Sequence, residues 1–390
     1  MSAPNAAYHQ LVPYLLVTHL TPYHFGSPVG AEHFTDRREE LALIADRLTG
    51  GQNVILHGPR RYGKTSLLHR AIEAARKRGG RAGYVNLLRC SSRREVAQAV
   101  TQGILSGPLH GGTTRRMGRL VERIRVRPRL DLSPTGGVTV FFEPGMRDTD
   151  WPGAMEDACR LLAEASTSHA VGLVLDEFQQ IVEVDPALAG TFKAILDESP
   201  SVSYVIAGSH VHLMERLTTA PGAPLLAMGE LLRLGPIPEG EMAPYLVARA
   251  QARRKQLTSE VALRICALGG PAPNDIQRLA QHAFDVAGGS IGLEEVEAGM
   301  TLAVSRQSTT FAERYERLAP VARRVLRLVA APGGLVQPYG LAALRKVEMA
   351  NANAVRKALA SLEESELIVR GPERWEVADP FFRRWLQSDP

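Results

Sequence analysis

The 390-residue sequence has little of several things that would classify a protein at once. It holds only three cysteines, Cys90, Cys159 and Cys266. They are odd in number, far apart and in no metal-ligand spacing. That excludes a disulfide framework and a cysteine-built zinc site, and it fits free thiols in a reducing compartment. No stretch reaches the roughly 18 apolar residues of a membrane span. The first fourteen residues carry no basic region, and Pro13, Tyr14 and His19 break the apolar run from Leu11 to Leu20, so no signal peptide is read. The expectation is a cytoplasmic protein with no membrane partner. A dominant charge is missing too: 46 Lys and Arg stand against 41 Asp and Glu, a net charge of +5. Such a balance permits contact with nucleic acid without demanding it. There is no internal repeat and no low-complexity tail.

What is present is an ordinary globular composition, 45% hydrophobic and 22% charged, with length for two or three domains. The chain is organised around Gly58-Pro-Arg-Arg-Tyr-Gly-Lys-Thr65, which fits G-x-x-x-x-G-K-[ST] without a mismatch. The apolar run Asn53 to His57 before it reads as a buried strand. After it, Leu67, Leu68, Ile72 and Ala75 recur at helical spacing. Strand, glycine loop and helix form the arrangement that cradles phosphates: backbone N–H groups and a helix N-terminus face the anion. Gly58, Pro59, Arg60, Arg61, Tyr62, Gly63, Lys64, Thr65 and Ser66 are the expected nucleotide-binding residues. Lys64 would reach the β- and γ-phosphates and Thr65 would hold Mg²⁺. Arg60 and Arg61 can face phosphate or solvent.

Strands and helices alternate from residue 31 to about 225, which predicts an α/β P-loop NTPase with a doubly wound parallel sheet. Residues 1–30 read as an irregular lead-in. Phe34 to Leu41 opens a helix, with Thr35 or Asp36 as its cap and Glu39 near the capping-box position. Residues 106–150 break the pattern. Seven arginines between 115 and 129 face one acid, Glu122, and a β-hairpin follows around Pro134 to Gly137. The arginine run can be a solvated face, a phosphate-backbone contact or a grip on an acidic partner. Residues 226–318 read as an α-helical lid domain, with one helix running from Leu293 to about Arg317. Residues 319–390 show helices, including a short one at Tyr339–Lys346, and then a two-stranded hairpin, the outline of a winged-helix domain.

Val171-Gly-Leu-Val-Leu-Asp-Glu-Phe178 supplies the second anchor. Asp176 at a strand end can hold Mg²⁺ beside Thr65, and Glu177 can polarise water for attack on the γ-phosphate. Ser209, ending the next apolar strand, either contacts the γ-phosphate or the attacking water, or simply closes a turn. Arg278, after Gly269-Gly-Pro271, either reaches the γ-phosphate or is a surface arginine. Lys64, Glu177 and Ser209 are thus the candidate catalytic residues, and Thr65 and Asp176 the candidate metal ligands.

These motifs together resemble those of the AAA+/STAND group of archaeal-type ATPases. Phe34 to Leu41 is similar to its F-V-G-R-E-x-E-L box, with Asp36 where the group usually has Gly and Arg38 where it has Glu. Gly58 to Ser66 is similar to its G-P-R-R-x-G-K-T-S loop, Leu175-Asp-Glu-Phe-Gln179 to its Walker B strand, and Ala207-Gly-Ser209 to its sensor strand. Gly269 to Asn274 resembles its G-G-x-P element, and Asp379 to Leu386 its D-P-F-F-R-x-W-L box. The resemblance implies ATP and Mg²⁺ as cofactors, Arg37 near the adenine, ATP hydrolysis used as a conformational switch, and a C-terminal winged helix. It leaves open a protein partner or homo-oligomer acting through lid and winged helix, an ATP-regulated DNA-binding protein, and a scaffold that binds ATP without turnover. From Pro320 to Pro390 there are 11 Lys and Arg against 8 Asp and Glu, which is not basic enough to favour DNA over a protein partner.

Overall fold

The computed structural model of the chain describes residues 21–109, 122–124, 129–132, 138–142, 150–340, 352–371 and 373–388. Residues 28–236 form one compact unit, and residues 237–390 form a second together with the N-terminal segment 21–27.

The first unit is built on strands β1 (Val54–His57), β2 (Arg81–Asn86), a hairpin of β3 (Arg129–Leu132) and β4 (Val138–Phe141), and then β5 (Val171–Asp176), β6 (Val202–Gly208) and β7 (Glu230–Arg233). The main sheet has the order β2-β5-β6-β1-β7, and every pairing in it is parallel. Its helices are α1 (Arg38–Gly50), α2 (Lys64–Lys77), α3 (Arg93–Ser106), α4 (Trp151–Ser166), α5 (Gln180–Val184), α6 (Leu188–Asp197) and α7 (Val211–Thr218). Period-2 alternation along the strands creates two faces. Val54, Leu56, Val174 and Val205 pack with Ile44 of α1 and Leu67 and Leu68 of α2. Ile55, Leu173, Leu175, Tyr204 and Ile206 pack with Val100 of α3, Leu162 of α4 and Phe192 of α6. Helices on both faces cover a sheet whose central strands are buried throughout, as a parallel sheet requires.

Several expectations need correction. The sheet unit does not end at 225 but continues to Pro236, because Glu230–Arg233 adds a fifth strand beside β1. Neither Thr35 nor Asp36 caps α1. Its first turn starts from Arg37, and Asp36 and Arg37 both sit in the left-handed region, with φ of 56° and 64°. A Gly is the usual residue there because it adopts that region freely, and Asp tolerates it better than most. The hairpin between α3 and α4 is present, whereas the turn at Pro134 to Gly137 and most of the arginine run lie outside the described residues. Of that run, Arg123 pairs with Glu164 of α4.

The second unit contains α8 (Glu239–Gln251), β8 (Gln256–Leu257), α9 (Ser259–Gly269), α10 (Pro273–Val286), β9 (Ser290–Ile291), α11 (Leu293–Ser305), α12 (Ser308–Glu316) and α13 (Pro320–Ala330). These are followed by α14 (Ala352–Glu364), β10 (Ile368–Arg370), β11 (Trp375–Val377) and α15 (Pro380–Ser388). The single helix expected from Leu293 to Arg317 is two, parted at Arg306 and Gln307. The helix expected at Tyr339–Lys346 falls largely outside the described residues. The segment 21–27 is irregular but held in place. Tyr23 is buried, its Oη donates to Leu246 O, and the N–H groups of Tyr23, His24 and Gly26 donate to Gln281, Gln277 and Asn274 along one face of α10. Among the described residues, no helix is long and apolar enough to cross a membrane.

The C-terminal box closes this second core. Phe382 is fully buried, with its ring stacked at 5.8 Å on Trp385 and 5.2 Å from Phe311. Replacing Phe382 by Ala should cost about 3–5 kcal/mol, read as a lowered urea midpoint of the second unit's unfolding transition.

Candidate functional site

The C-terminal ends of β1, β5 and β6 converge, and each contributes one part of the site. The first part is the glycine loop. Gly63 precedes α2 with φ of 86°, a conformation that needs glycine. Gly58 is required for a different reason than turning N–H groups inward: a Cβ there would lie 2.7 Å from the carbonyl oxygen of Leu234, just after β7. Lys64 opens α2, is buried, and folds back so that Nζ donates to the carbonyls of Gly58 at 2.6 Å and Pro59 at 2.8 Å. A lysine ammonium held by the carbonyls of its own loop is a point charge ready for a phosphate. Ser66 accepts the N–H of Val29 at 3.0 Å. Arg60 and Arg61 have exposed side chains, while Tyr62 packs against the core beneath α1 and α2.

The second part is the acidic pair. Asp176 has no exposed surface. Its Oδ2 accepts from Thr65 Oγ1 and from Tyr84 Oη, both at 2.8 Å, and its Oδ1 accepts from the N–H of Glu177 at 2.9 Å. Burial pushes the Asp176 carboxyl above the ordinary carboxylate range, and the bonds from Tyr84 and Thr65 pull it back. Glu177 sits in the left-handed region with φ of 55°. Its Oε2 accepts from Ser209 Oγ at 2.7 Å and from Gln179 Nε2 at 2.5 Å. Gln179 also donates to Ser209 Oγ and accepts the Ser209 N–H, both at 3.3 Å. Ser209 therefore does more than close a turn: it holds the glutamate.

Lys64, Thr65, Asp176, Glu177 and Ser209 are thus brought together. Arg37 is not. The Arg37 guanidinium is buried and engaged by Glu40 Oε1 at 3.1 Å and by the carbonyl of Gly235. Arg278 lies in the other unit and is neither a surface arginine nor a free cation. It is buried, with its guanidinium 4.2 Å from the centre of the Phe381 ring and a donated bond to Ala303 O at 3.4 Å. Tyr84 and Gln179 escaped the sequence reading. The Gln of L-D-E-F-Q was visible as a letter, but only the folded strand ends show what it binds.

The residues fit a nucleotide with a divalent cation. Among the described residues no group of three His, Cys, Asp or Glu side chains could hold a metal. The Thr65 hydroxyl beside a buried carboxylate is the place for a cation that takes its remaining ligands from phosphate and water, as Mg²⁺ commonly does.

Comparison with known proteins agrees with this geometry. A family described as a probable winged helix domain matches residues 309–388. A Walker-type ATPase of Pyrococcus abyssi superimposes with a TM-score of 0.64 at 15% identity, covering 94% of this chain and 99% of that one. The Aeropyrum pernix ORC2 protein, solved as ADPNP and ADP complexes, gives a TM-score of 0.56 at 17% identity, covering 94% and 95%. The A. pernix ORC1 protein in complex with DNA gives 0.50 at 16% identity, covering 92% and 93%. No curated protein matches the sequence. The fold is that of a P-loop NTPase, shared with these neighbours: a parallel sheet followed by a helical region and a C-terminal winged helix.

Gln179→Leu removes a buried donor and acceptor and leaves Glu177 and Ser209 under-bonded. The expected cost is about 1–3 kcal/mol, read as a denaturation temperature lowered by several degrees.

Proposed function

We propose that the chain is an ATP-binding, Mg²⁺-dependent ATPase whose nucleotide state acts as a conformational switch passed to the winged helix. What supports this most is the single cluster formed by Lys64, Thr65, Asp176, Glu177 and Ser209 at adjoining strand ends. Bound Mg·ATP would supply the phosphoryl group and the charge that neutralises it. Thr65 and Asp176 would hold the cation. Lys64 exchanges its bonds to the Gly58 and Pro59 carbonyls for the β- and γ-phosphates, a trade of backbone acceptors for anionic ones that favours binding. Glu177 accepts a proton from the attacking water. Ser209 and Gln179 orient that carboxylate, and the free lone pairs of Oε1 leave it an acceptor while Oε2 is tied.

In this reading residues 237–318 serve as the lid and 319–390 as the winged-helix domain. The winged helix and the fold shared with a DNA-bound ORC1 protein also support a second reading, ATP-regulated DNA binding. A partner protein or a second copy of the chain is the alternative use of the same surface.

Lys64→Ala is expected to abolish binding of a fluorescent ATP analogue. Glu177→Gln should keep that binding and lower phosphate release by about 10²–10⁴-fold. Hydrolysis by Glu177→Gln at the wild-type rate would remove the glutamate from its role as base.

A further inference from the structure

Asp176 accepts three hydrogen bonds. Thr65 Oγ1 and Tyr84 Oη both donate to Oδ2 at 2.8 Å, and the Glu177 N–H donates to Oδ1 at 2.9 Å. An ionised carboxylate offers about four lone-pair positions. Three of them are taken, and the remaining one is on Oδ1.

Tyr84 is placed for this by the sheet. On β2 it stands opposite Val174, two residues before Asp176, so its side chain lies on the face covered by α1 and α2. Its ring centre is 4.4 Å from that of His69 on α2. Asn86, opposite Asp176 in the register, donates its Nδ2 to Tyr84 Oη at 3.3 Å. The phenol oxygen accepts from one side, and its proton is aimed at the carboxylate on the other.

We propose that Tyr84 is a positioning residue of the cation site: it locks the plane of the Asp176 carboxylate and restricts Asp176 to a single remaining acceptor position, so that the side chain meets the cation through one water and cannot chelate it with both oxygens. This rests on reading the loop as a Mg·ATP site. The consequence is a preference between cations. Mg²⁺ is small, octahedral and keeps several of its waters, whereas Ca²⁺ takes six to eight oxygens and readily accepts both oxygens of a carboxylate. Tyr84 blocks the arrangement that suits Ca²⁺.

The test is Tyr84→Phe, which keeps the ring against His69 and removes only the donor. Binding of a fluorescent N-methylanthraniloyl ATP is titrated with Mg²⁺, with Ca²⁺ and in EDTA, with circular dichroism to check the fold. The Mg²⁺ midpoint should rise about tenfold, the usual effect of losing a group that orients a metal ligand. The Ca²⁺ midpoint should stay or fall, and affinity in EDTA should not change. Mg²⁺ and Ca²⁺ curves superimposable on those of the wild type overturn the proposal. So does an equal loss of affinity in all three conditions, which would mark Tyr84 as a packing residue. Wild-type protein that binds the nucleotide with no response to metal sinks the Mg·ATP reading itself and is distinguishable from either result. If Tyr84→Phe does not fold, Asn86→Ala at the exposed end of β2 is read in the same titrations. It should shift the Mg²⁺ midpoint in the same direction but by less than Tyr84→Phe would, and an unmoved midpoint overturns the proposal.

Discussion

A carboxylate with no exposed surface sits at the centre of the candidate site, and the arrangement around it follows from the need to keep it charged. Asp176 ends a strand buried on both faces and itself has no exposed surface. An unpaired buried carboxylate would neutralise, because desolvation penalises the charged form by several kcal/mol. Here three donors from three places in the chain meet it: the hydroxyl of Thr65 at the start of α2, the phenol of Tyr84 on β2, and the backbone N–H of Glu177. Each bond fixes the element that supplies it. The phosphate loop is therefore tied to β5 before any ligand arrives, and β2 is held to β5 at its ligand-facing end as well as by the ladder.

The same end of the sheet carries much of the backbone strain. Seven described non-glycine residues have positive φ, among them Asp36, Arg37, Arg61 and Glu177, a conformation that costs of order 1–3 kcal/mol in such positions. Arg61 lies in the phosphate loop and Glu177 in the acidic pair. Two are compensated in a way that can be traced. Glu177 is held by Ser209 and Gln179. Arg37 is held by Glu40 and the Gly235 carbonyl. Glu177 departs from the strand direction at that point, and this turns its side chain toward Ser209 at the end of β6 rather than along the continuation of β5.

The parts of this architecture that are local in sequence were legible, and the parts that depend on distant partners were not. The glycine loop and the Asp-Glu pair are short patterns whose meaning comes from the strand and helix flanking them, and both stand where those flanks imply. Strand β7 was missed because Glu230-Leu-Leu-Arg is four residues long, lies on a sheet edge and is mostly exposed, so it shows no buried alternation. Tyr84 carries no mark of its role in the sequence around it. Its partner is 92 residues away, and only the register of β2 on β5 makes the bond. Arg278 was read by its distance from a glycine turn, but its position is set by Phe381, about a hundred residues later. The cap of α1 was sought in Thr35 and Asp36 because those residue types cap helices. The backbone there turns left-handed, and that turn takes their side chains out of capping position.

The helical region and the winged helix were separable by pattern, yet they share one core. Leu246 and Leu279 from the lid helices, Phe311 from α12, and Leu326, Phe381 and Phe382 from the C-terminal segment belong to one continuous set of buried residues. Phe311, Tyr315, Phe382 and Trp385 pack edge and face at the junction, and Arg278 closes it by lying over Phe381. A close-packed interface of this kind has no low-energy sliding position, because a displacement of even one methylene opens voids or forces clashes. The winged helix therefore follows the lid as part of one body. Within the switch reading, a change in the lid is passed directly to the winged helix, and Arg278, buried over Phe381 at their junction, ties the two together.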